Sequence, residues 1–385
     1  MTFENPFTPI FGGKPDFFFG RKELLARFDR ALIVRGSEDC TLFITGARGN
    51  GKTALVEQMS QKAVEAGWNA IDLTADNALQ SFFRQIQEFD EHSVKTDPTI
   101  EVKMLGSGGS LGGLSTTKTS HYDSDDVDVL FRRACEGMKR GVFVSIDEIQ
   151  KVPLDDVSKI CGAFQMASRK GFDVILVVAG LPYSFEPIIQ HDGCTYLRRS
   201  VHEELGLFTP AEAKEAFLEA FGLIKGLTIG DDALARLISL SSGHPYMVQL
   251  LGYHLLEYLN GSVVEKKHVV TVADVETVAP IAMNAYERRA LQPLMNSLSS
   301  SAQAYLRAMA KTMGDDHVAE TSDIAAYLGK THQQLGVVRQ TLIGEGVVVS
   351  PGFGRIRFAI PYLRTYLVEE DERQTPLGLL EEWDV

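Results

Sequence analysis

Long apolar segments and closely spaced cysteines are both missing from this 385-residue sequence. No apolar run approaches the ~18 residues of a membrane-spanning helix, and the first residues lack the basic start and apolar core of a signal peptide. The four cysteines are scattered without C-x-x-C spacing, which argues against zinc ligation and against a disulfide framework. We therefore expect a cytoplasmic chain with no membrane partner and with buried, reduced thiols at Cys40, Cys135, Cys161 and Cys194.

Positive charge is also scarce, because the formal net charge is −13. This net negative charge argues against attraction of the whole chain to nucleic acid. It does not exclude a local basic face. The apolar fraction of 44% and the charged fraction of 23% are ordinary for globular proteins. The length is sufficient for two or three domains, each with its own core.

Residues 46–53 read GARGNGKT, which is the G-x-x-x-x-G-K-T pattern of a phosphate-binding loop. The apolar stretch 41–45 before it predicts a buried strand, and residues 54–59 after it predict a helix. In this setting backbone N–H groups surround an anion, and the helix adds the positive end of its dipole. Lys52 is then expected to face solvent as a point charge that reaches the β- and γ-phosphates, and the Thr53 hydroxyl to hold Mg²⁺. The predicted nucleotide contacts of this segment are Gly46, Ala47, Arg48, Gly49, Asn50, Gly51, Lys52, Thr53 and Ala54.

A second motif, VFVSIDE at residues 142–148, ends an apolar strand in two adjacent carboxylates. Phosphoryl transfer requires a positioned metal ion and a positioned nucleophile. We expect Asp147 to join Thr53 as a metal ligand, and Glu148 to polarise the attacking water. Glu148 and Lys52 are thus the predicted catalytic residues.

These motifs, with Phe19-Gly20-Arg21 before a helix and a later Gly243-His244-Pro245, resemble those of AAA+ ATPases. The resemblance is greatest to archaeal origin-recognition-type initiators and to signal-transducing (STAND) ATPases, and it covers roughly residues 5–290. It implies an α/β P-loop fold with a parallel sheet and flanking helices, a helical lid, and ATP or ADP with Mg²⁺ as ligands. It further implies nucleotide contacts from Gly20 and Arg21, and from His244 and Pro245. His244 could equally be a packed or capping residue.

The sequence departs from this family where the γ-phosphate is usually sensed. The strand at 174–180 ends in Ala179-Gly180-Leu181-Pro182 with no polar side chain, which predicts slow hydrolysis. No Arg or Lys occurs from 243 to 264, so the usual lid arginine is missing. Either Arg198 or Arg199 is predicted to reach the nucleotide of a neighbouring subunit in a homo-oligomer, with a surface or intramolecular role as the alternative.

The remaining segments suggest four regions. We expect a P-loop AAA+ domain at 1–207, a helical lid at 208–296, a winged helix-turn-helix at 297–368 and an acidic tail at 369–385. The winged-helix segment carries seven basic and five acidic residues, a local charge of +2 that is small for a DNA-binding domain. The partner of this segment is either duplex DNA, bound through residues 331–357, or a protein. The sequence does not assign a role to the glycine-rich insertion at 105–120.

Together these observations predict an ATP-binding AAA+ ATPase with slow Mg²⁺-dependent hydrolysis that drives a conformational switch. One interpretation is a DNA-associated, initiator-like protein. The alternative is a STAND-type regulatory switch with little hydrolysis, whose winged helix binds protein.

Overall fold

The computed structural model describes residues 3–10, 17–94, 124–137, 140–261 and 268–374. The glycine-rich insertion at 105–120 and the end of the acidic tail, residues 375–385, lie outside these ranges. Within them, no helix has the length and apolar character that crossing a membrane requires.

A five-stranded parallel sheet with the order β2-β3-β4-β1-β5 forms the first layer of structure. Its strands are β1 Thr41–Gly46, β2 Asn69–Leu73, β3 Val142–Ile146, β4 Val174–Gly180 and β5 Val201–Leu205. The flanking helices are α1 Lys22–Ala31, α2 Lys52–Glu65, α3 Ala78–Val94, α4 Ser124–Gly137, α5 Leu154–Arg169 and α6 Phe185–Gln190. This confirms the predicted P-loop α/β fold.

Alternation along β4 explains why this strand reads as a continuous apolar run. Ile175, Val177 and Ala179 pack on the face covered by α1 and α2. Leu176 and Val178 pack on the opposite face, which α3, α4 and α5 cover. Successive strand residues point to opposite faces, so a strand buried on both sides needs apolar residues at every position.

A helical lid follows the sheet. Its helices are α7 Pro210–Gly222, α8 Asp231–Ser241, α9 Pro245–Gly261, α10 Val272–Tyr286 and α11 Gln292–Ser297. A π-helical turn at Glu287–Leu291 separates α10 from α11. A parallel pair of short strands, β6 Leu227–Ile229 and β7 His268–Val270, is an element that we did not predict.

The C-terminal region has the arrangement of a winged helix. It contains α12 Ser300–Thr312, α13 Thr321–Tyr327, α14 His332–Gly344 and α15 Leu363–Gln374, with a sheet of β8 Ala319–Glu320, β9 Val348–Gly352 and β10 Arg355–Phe358 in the order β8-β10-β9. Thr331 caps α14 in a capping box with Gln334.

The first residues of the expected acidic tail are helical. Helix α15 runs through the boundary expected at residue 368, and Arg307 of α12 forms ion pairs with Glu370 and Asp371. The first turns of α15 also bury Leu363 and Leu367. Apolar anchoring and these charge pairs together hold α15 against α12.

Candidate nucleotide site

The loop at 46–53 leaves the carboxyl end of β1 and turns directly into α2. Gly49 and Gly51 adopt left-handed backbone angles, φ 81° and 84°. A Cβ on Gly49 would lie 2.5 Å from Cε1 of His244, so this position requires glycine. The buried side chain of Asn50 donates to the Leu205 carbonyl at 2.7 Å, which fastens the loop to β5.

Lys52 is buried, whereas we expected a charge that faces solvent. Its Nζ donates to the carbonyl oxygens of Gly46 and Ala47 at 2.9 and 3.1 Å, which holds the ammonium beneath the loop. Burial lowers the pKa of Lys52, and the charges of Glu148 and Asp147 act in the opposite direction. An ammonium has three donors, so one N–H remains for an anion in the cavity that Lys52 lines.

The metal-binding pair predicted from the sequence is brought together. Thr53 Oγ1 donates to Asp147 Oδ2 at 2.6 Å, although the two residues are far apart in the chain. Asp147 Oδ1 also accepts from the backbone N–H of Glu148 at 2.8 Å. A hydroxyl and a carboxylate in contact at a helix N-terminus are suitable oxygen ligands for Mg²⁺, so these residues fit the ion.

A cavity of about 260 Å³ opens beside this loop. The predicted residues that line it are Arg21, Arg48, Gly49, Asn50, Gly51, Lys52, Thr53, Ala54, Glu148 and Pro245. Further lining residues, which sequence reasoning did not assign, include Thr8, Ile10, Phe17, Phe18, Phe19, Phe208, Ala216, Tyr246, Val248 and Gln249. Three cations against one carboxylate among the lining residues favour an anionic ligand. The phenylalanines of the lining favour a ligand that also has an apolar portion, and a nucleotide has both.

Arg21 supplies one of these cations from an unusual backbone position, φ 54°. Its guanidinium lies 4.8 Å from the ring centroid of Phe208, and its Nε is buried without a hydrogen-bond partner. Burial lowers the pKa of Arg21, while Glu212 opposes that shift. A buried donor without an acceptor at the cavity wall is suited to bind an anionic or polar ligand atom.

Several predicted contact residues do not line the cavity. Gly20 packs against the Phe208 ring, and Gly46 pairs with Leu205 in the sheet. Ala47 lies under Gly346 of the winged helix. Asp147 is also set back from the cavity, where it contacts Thr53. Arg198 and Arg199 precede β5, at the amino edge of the sheet and opposite the phosphate loop, so they cannot reach the nucleotide site of their own chain.

His244 is packed beneath the phosphate loop and does not line the cavity. The imidazole contacts the position of Gly49 and meets the Tyr286 ring edge-to-face at 5.2 Å. Its Nδ1 is buried without a partner. Burial lowers the pKa of His244 to about 4, and a hydrogen bond to the backbone of Arg48 acts in the opposite direction. His244 therefore connects the lid to the loop as a neutral packing residue.

The lid places a cation near the cavity from an unexpected position. Arg289, in the π-helical turn, hydrogen-bonds to Tyr246 and thereby opposes the rise in pKa that burial causes in that phenol. Tyr246 lines the cavity. Arg289 lies outside residues 243–264, the segment in which the family resemblance places a lid arginine, so the sequence did not indicate it.

The winged helix contacts the phosphate loop directly, which the sequence did not indicate. Arg48 Nη2 lies 3.5 Å from Glu345 Oε2. A Cβ on Gly346, φ 68°, would lie 3.0 Å from Cα of Ala47, and one on Gly344 would lie 2.7 Å from Cβ of Tyr183. The C-terminal end of α14 therefore rests on the nucleotide-binding loop.

Residues 35–189 match the AAA domain family. This match agrees with the sheet order, the phosphate loop and the acidic strand end described above. The chain contains an AAA-type P-loop domain. Residues 289–367 match a second family, described as a domain of unknown function, which covers most of the winged helix. No curated protein matches the chain at a significant level.

Solved structures align with this chain over most of its length. The ORC2 protein of Aeropyrum pernix in its ADPNP–ADP complexes aligns with TM-score 0.56 and 14% identity over 92% of this chain and 97% of that chain. Its ADP form aligns with TM-score 0.52 and 15% identity over 96% and 98%. The ORC1 protein of the same organism in complex with DNA gives TM-score 0.44 and 18% identity over 93% and 94%. The two ORC2 matches support a common fold.

Proposed function

We propose that this chain binds ATP with Mg²⁺, hydrolyses it slowly, and uses the bound nucleotide as a conformational switch. The observation that carries the proposal is the Thr53–Asp147 contact at 2.6 Å beside a cavity lined by Lys52, Arg21 and Glu148. No other part of the described chain combines phosphate-loop amides, cations and an acidic pair.

Each residue has a distinct part in the proposed reaction. The loop N–H groups and the free N–H of Lys52 bind the phosphates, and Arg21 adds a second cation at the cavity wall. Thr53 and Asp147 would hold Mg²⁺, which neutralises charge on the phosphate oxygens when bound. Glu148 accepts a hydrogen bond from the attacking water and orients it.

The switch is proposed from the position of the winged helix. Phosphate binding requires the loop at 46–53 to surround an anion, and the same loop contacts Glu345 and Gly346. A nucleotide that favours one loop arrangement shifts the winged helix only to the extent that its affinity differs between the two arrangements. Arg48 connects nucleotide binding to the position of the winged helix, because it both lines the cavity and pairs with Glu345.

We propose a protein as the partner of the winged helix. Arg355 pairs with Asp316 and Glu320, and Arg339 is half-buried on the side that faces Tyr305. Of the cations in the described part of 331–357, Arg357 alone is exposed without a partner. Val337 and Phe353 expose apolar side chains on α14 and at the wing tip. Duplex DNA binding depends on phosphate contacts by cations, so this surface is better suited to protein.

The nucleotide part of the proposal is tested with Lys52→Ala and Glu148→Gln in the full chain, by calorimetric ATP affinity and phosphate release. Lys52→Ala should abolish tight ATP binding. Glu148→Gln should still bind ATP, with turnover reduced by roughly 10² or more. Lys62→Ala is the matched control, because Lys62 lies on the same helix but pairs with Asp29.

Circular dichroism separates loss of binding from loss of fold, since Lys52 is buried. Unchanged ATP affinity in folded Lys52→Ala would refute the site. Binding without any phosphate release by the wild type would leave a nucleotide-binding switch and remove the hydrolase function.

A further inference from the structure

The end of β4 lacks a polar side chain for a steric reason. A Cβ on Gly180 would lie 2.5 Å from Ser184 Oγ, and 2.8 Å from both Gln150 Oε1 and Ile149 Cγ2. The space beside the strand end is therefore already filled, and one of the groups that fills it is the amide of Gln150.

Gln150 connects the carboxyl ends of two strands of the sheet. It lies in a 3₁₀ turn, Ile149–Lys151, directly after Glu148. Its Oε1 accepts from the backbone N–H of Leu181 at 3.2 Å, at the end of β4. Its Nε2 donates to Glu148 Oε2 at 2.9 Å, at the end of β3. The amide uses both of its ends, so its orientation is determined by two partners of opposite kind.

Glu148 itself needs such support. It is a non-glycine residue in the left-handed region, φ 52°, where side chains other than Gly, Asn and Asp are uncommon. Oε2 receives the Gln150 amide and lies 3.1 Å from Lys151 Nζ. One carboxylate oxygen is thus held by the protein, which leaves Oε1 to accept from a water in the cavity.

We infer that Gln150 is a positioning residue for ATP hydrolysis, which orients the Glu148 carboxylate from the place where a polar side chain on β4 would otherwise act. This inference rests on the proposed ATPase function and deepens it. The Lys151 contact is the weaker of the two, because the Lys151 side chain is 61% exposed and solvent screens the pair.

The experiment uses single-turnover ATP hydrolysis and calorimetric ATP affinity on the full chain. Gln150→Met keeps the length of the side chain and removes both hydrogen bonds. It should lower the rate of hydrolysis by roughly 10- to 100-fold, the scale of a misplaced catalytic group, while ATP affinity changes by less than about twofold.

A second variant separates orientation of Glu148 from simple support of the strand end. Gln150→Glu can still accept from Leu181 N–H but cannot donate to Glu148. It should lose at least as much activity as Gln150→Met, because the donor is replaced by a carboxylate that repels Glu148. A role limited to the bond with Leu181 N–H predicts a smaller loss than that of Gln150→Met. Gln190→Met is the matched control, because Gln190 donates the same kind of amide hydrogen bond to a carboxylate, Glu186 at 3.0 Å, on the exposed helix α6. Its rate should equal that of the wild type, since exposed surface substitutions have little effect.

A double variant completes the test. Gln150→Met in a Glu148→Gln background should cause no further loss, since residues that act as a unit are not additive. The inference is overturned if Gln150→Glu hydrolyses ATP like wild type, if either variant is faster, or if affinity falls in parallel with rate. If the wild type binds ATP without hydrolysis, the catalytic part of the proposed function fails and this inference fails with it. Normal hydrolysis by wild type and Gln150 variants alike would overturn the inference alone.

Discussion

Acidification should destabilise the contact between the lid and the phosphate loop, because His244 is buried as a neutral imidazole. Its pKa is lowered to about 4, with desolvation as the main cause. The ring packs on Gly49 and against Tyr286, and no carboxylate contributes to its pKa. Protonation would place an uncompensated charge between the lid and the loop.

The sign and size follow from proton linkage. An unfolded histidine binds its proton near pH 6.5, whereas folded His244 does so near pH 4. Between these values the unfolded state binds more protons, so stability is complete above pH 6.5 and is lost as pH falls towards 4. The relation gives about 2 kcal/mol of lost stability at pH 5 and about 3 kcal/mol for the whole shift.

The assay measures the free energy of unfolding in urea at pH 7.5 and pH 5, for the wild type and for His244→Gln. For each protein, the value at pH 5 is compared with the value of the same protein at pH 7.5. The glutamine variant should lose about 2 kcal/mol less on acidification, because its side chain does not titrate in this range. Direct NMR titration of the imidazole gives an independent value. A His244 resonance that titrates near pH 6.5 in the folded protein would refute the reasoning.

The contact between the winged helix and the phosphate loop gives a further prediction. Glu345→Arg should weaken it by roughly 1 kcal/mol, since half-exposed pairs contribute up to that amount, and should raise hydrogen exchange at Ala47 and Arg48. Adding Arg48→Glu should restore the wild-type pattern, and identical exchange in all three proteins would contradict the contact. For the winged-helix partner, we expect no measurable duplex binding by fluorescence anisotropy at roughly 0.15 M salt, because Arg357 has little support from neighbouring cations. Duplex binding that Arg357→Ala weakens, with a salt slope lower by about one, would restore DNA as the partner.

The sequence predicted those parts of the molecule that local patterns determine. The strand before the loop and the strand ending in Asp147 and Glu148 each have a short-range signature, and the structure places Thr53 against Asp147 as the motifs suggested. The confirmed fold follows from the same signatures, because alternating apolar strands and amphipathic helices specify a parallel α/β layer.

The parts that sequence reasoning missed depend on contacts between distant segments. Burial of Lys52 depends on how the loop carbonyls turn inward, and the Arg48–Glu345 pair joins residues from different domains. The short strands β6 and β7 contain only three residues each, and their paired residues lie 41 positions apart in the chain. The role of Gln150 was hidden because a glutamine after an acidic pair carries no pattern of its own.

The first described residues of the chain complete the core of the lid. Phe7 lies against Gly252 of α9 so closely that a Cβ there would be 2.4 Å from the ring, and Phe3 N–H donates to Asn260. Phe3 and Asn260, which form a hydrogen bond, are 257 residues apart in the chain. During synthesis, Phe3 and Phe7 therefore cannot be buried until the lid helices have been made. Contacts of such length delay folding. An isolated lid fragment would expose the groove that these two phenylalanines fill, so lid and N-terminal segment must be expressed as one chain.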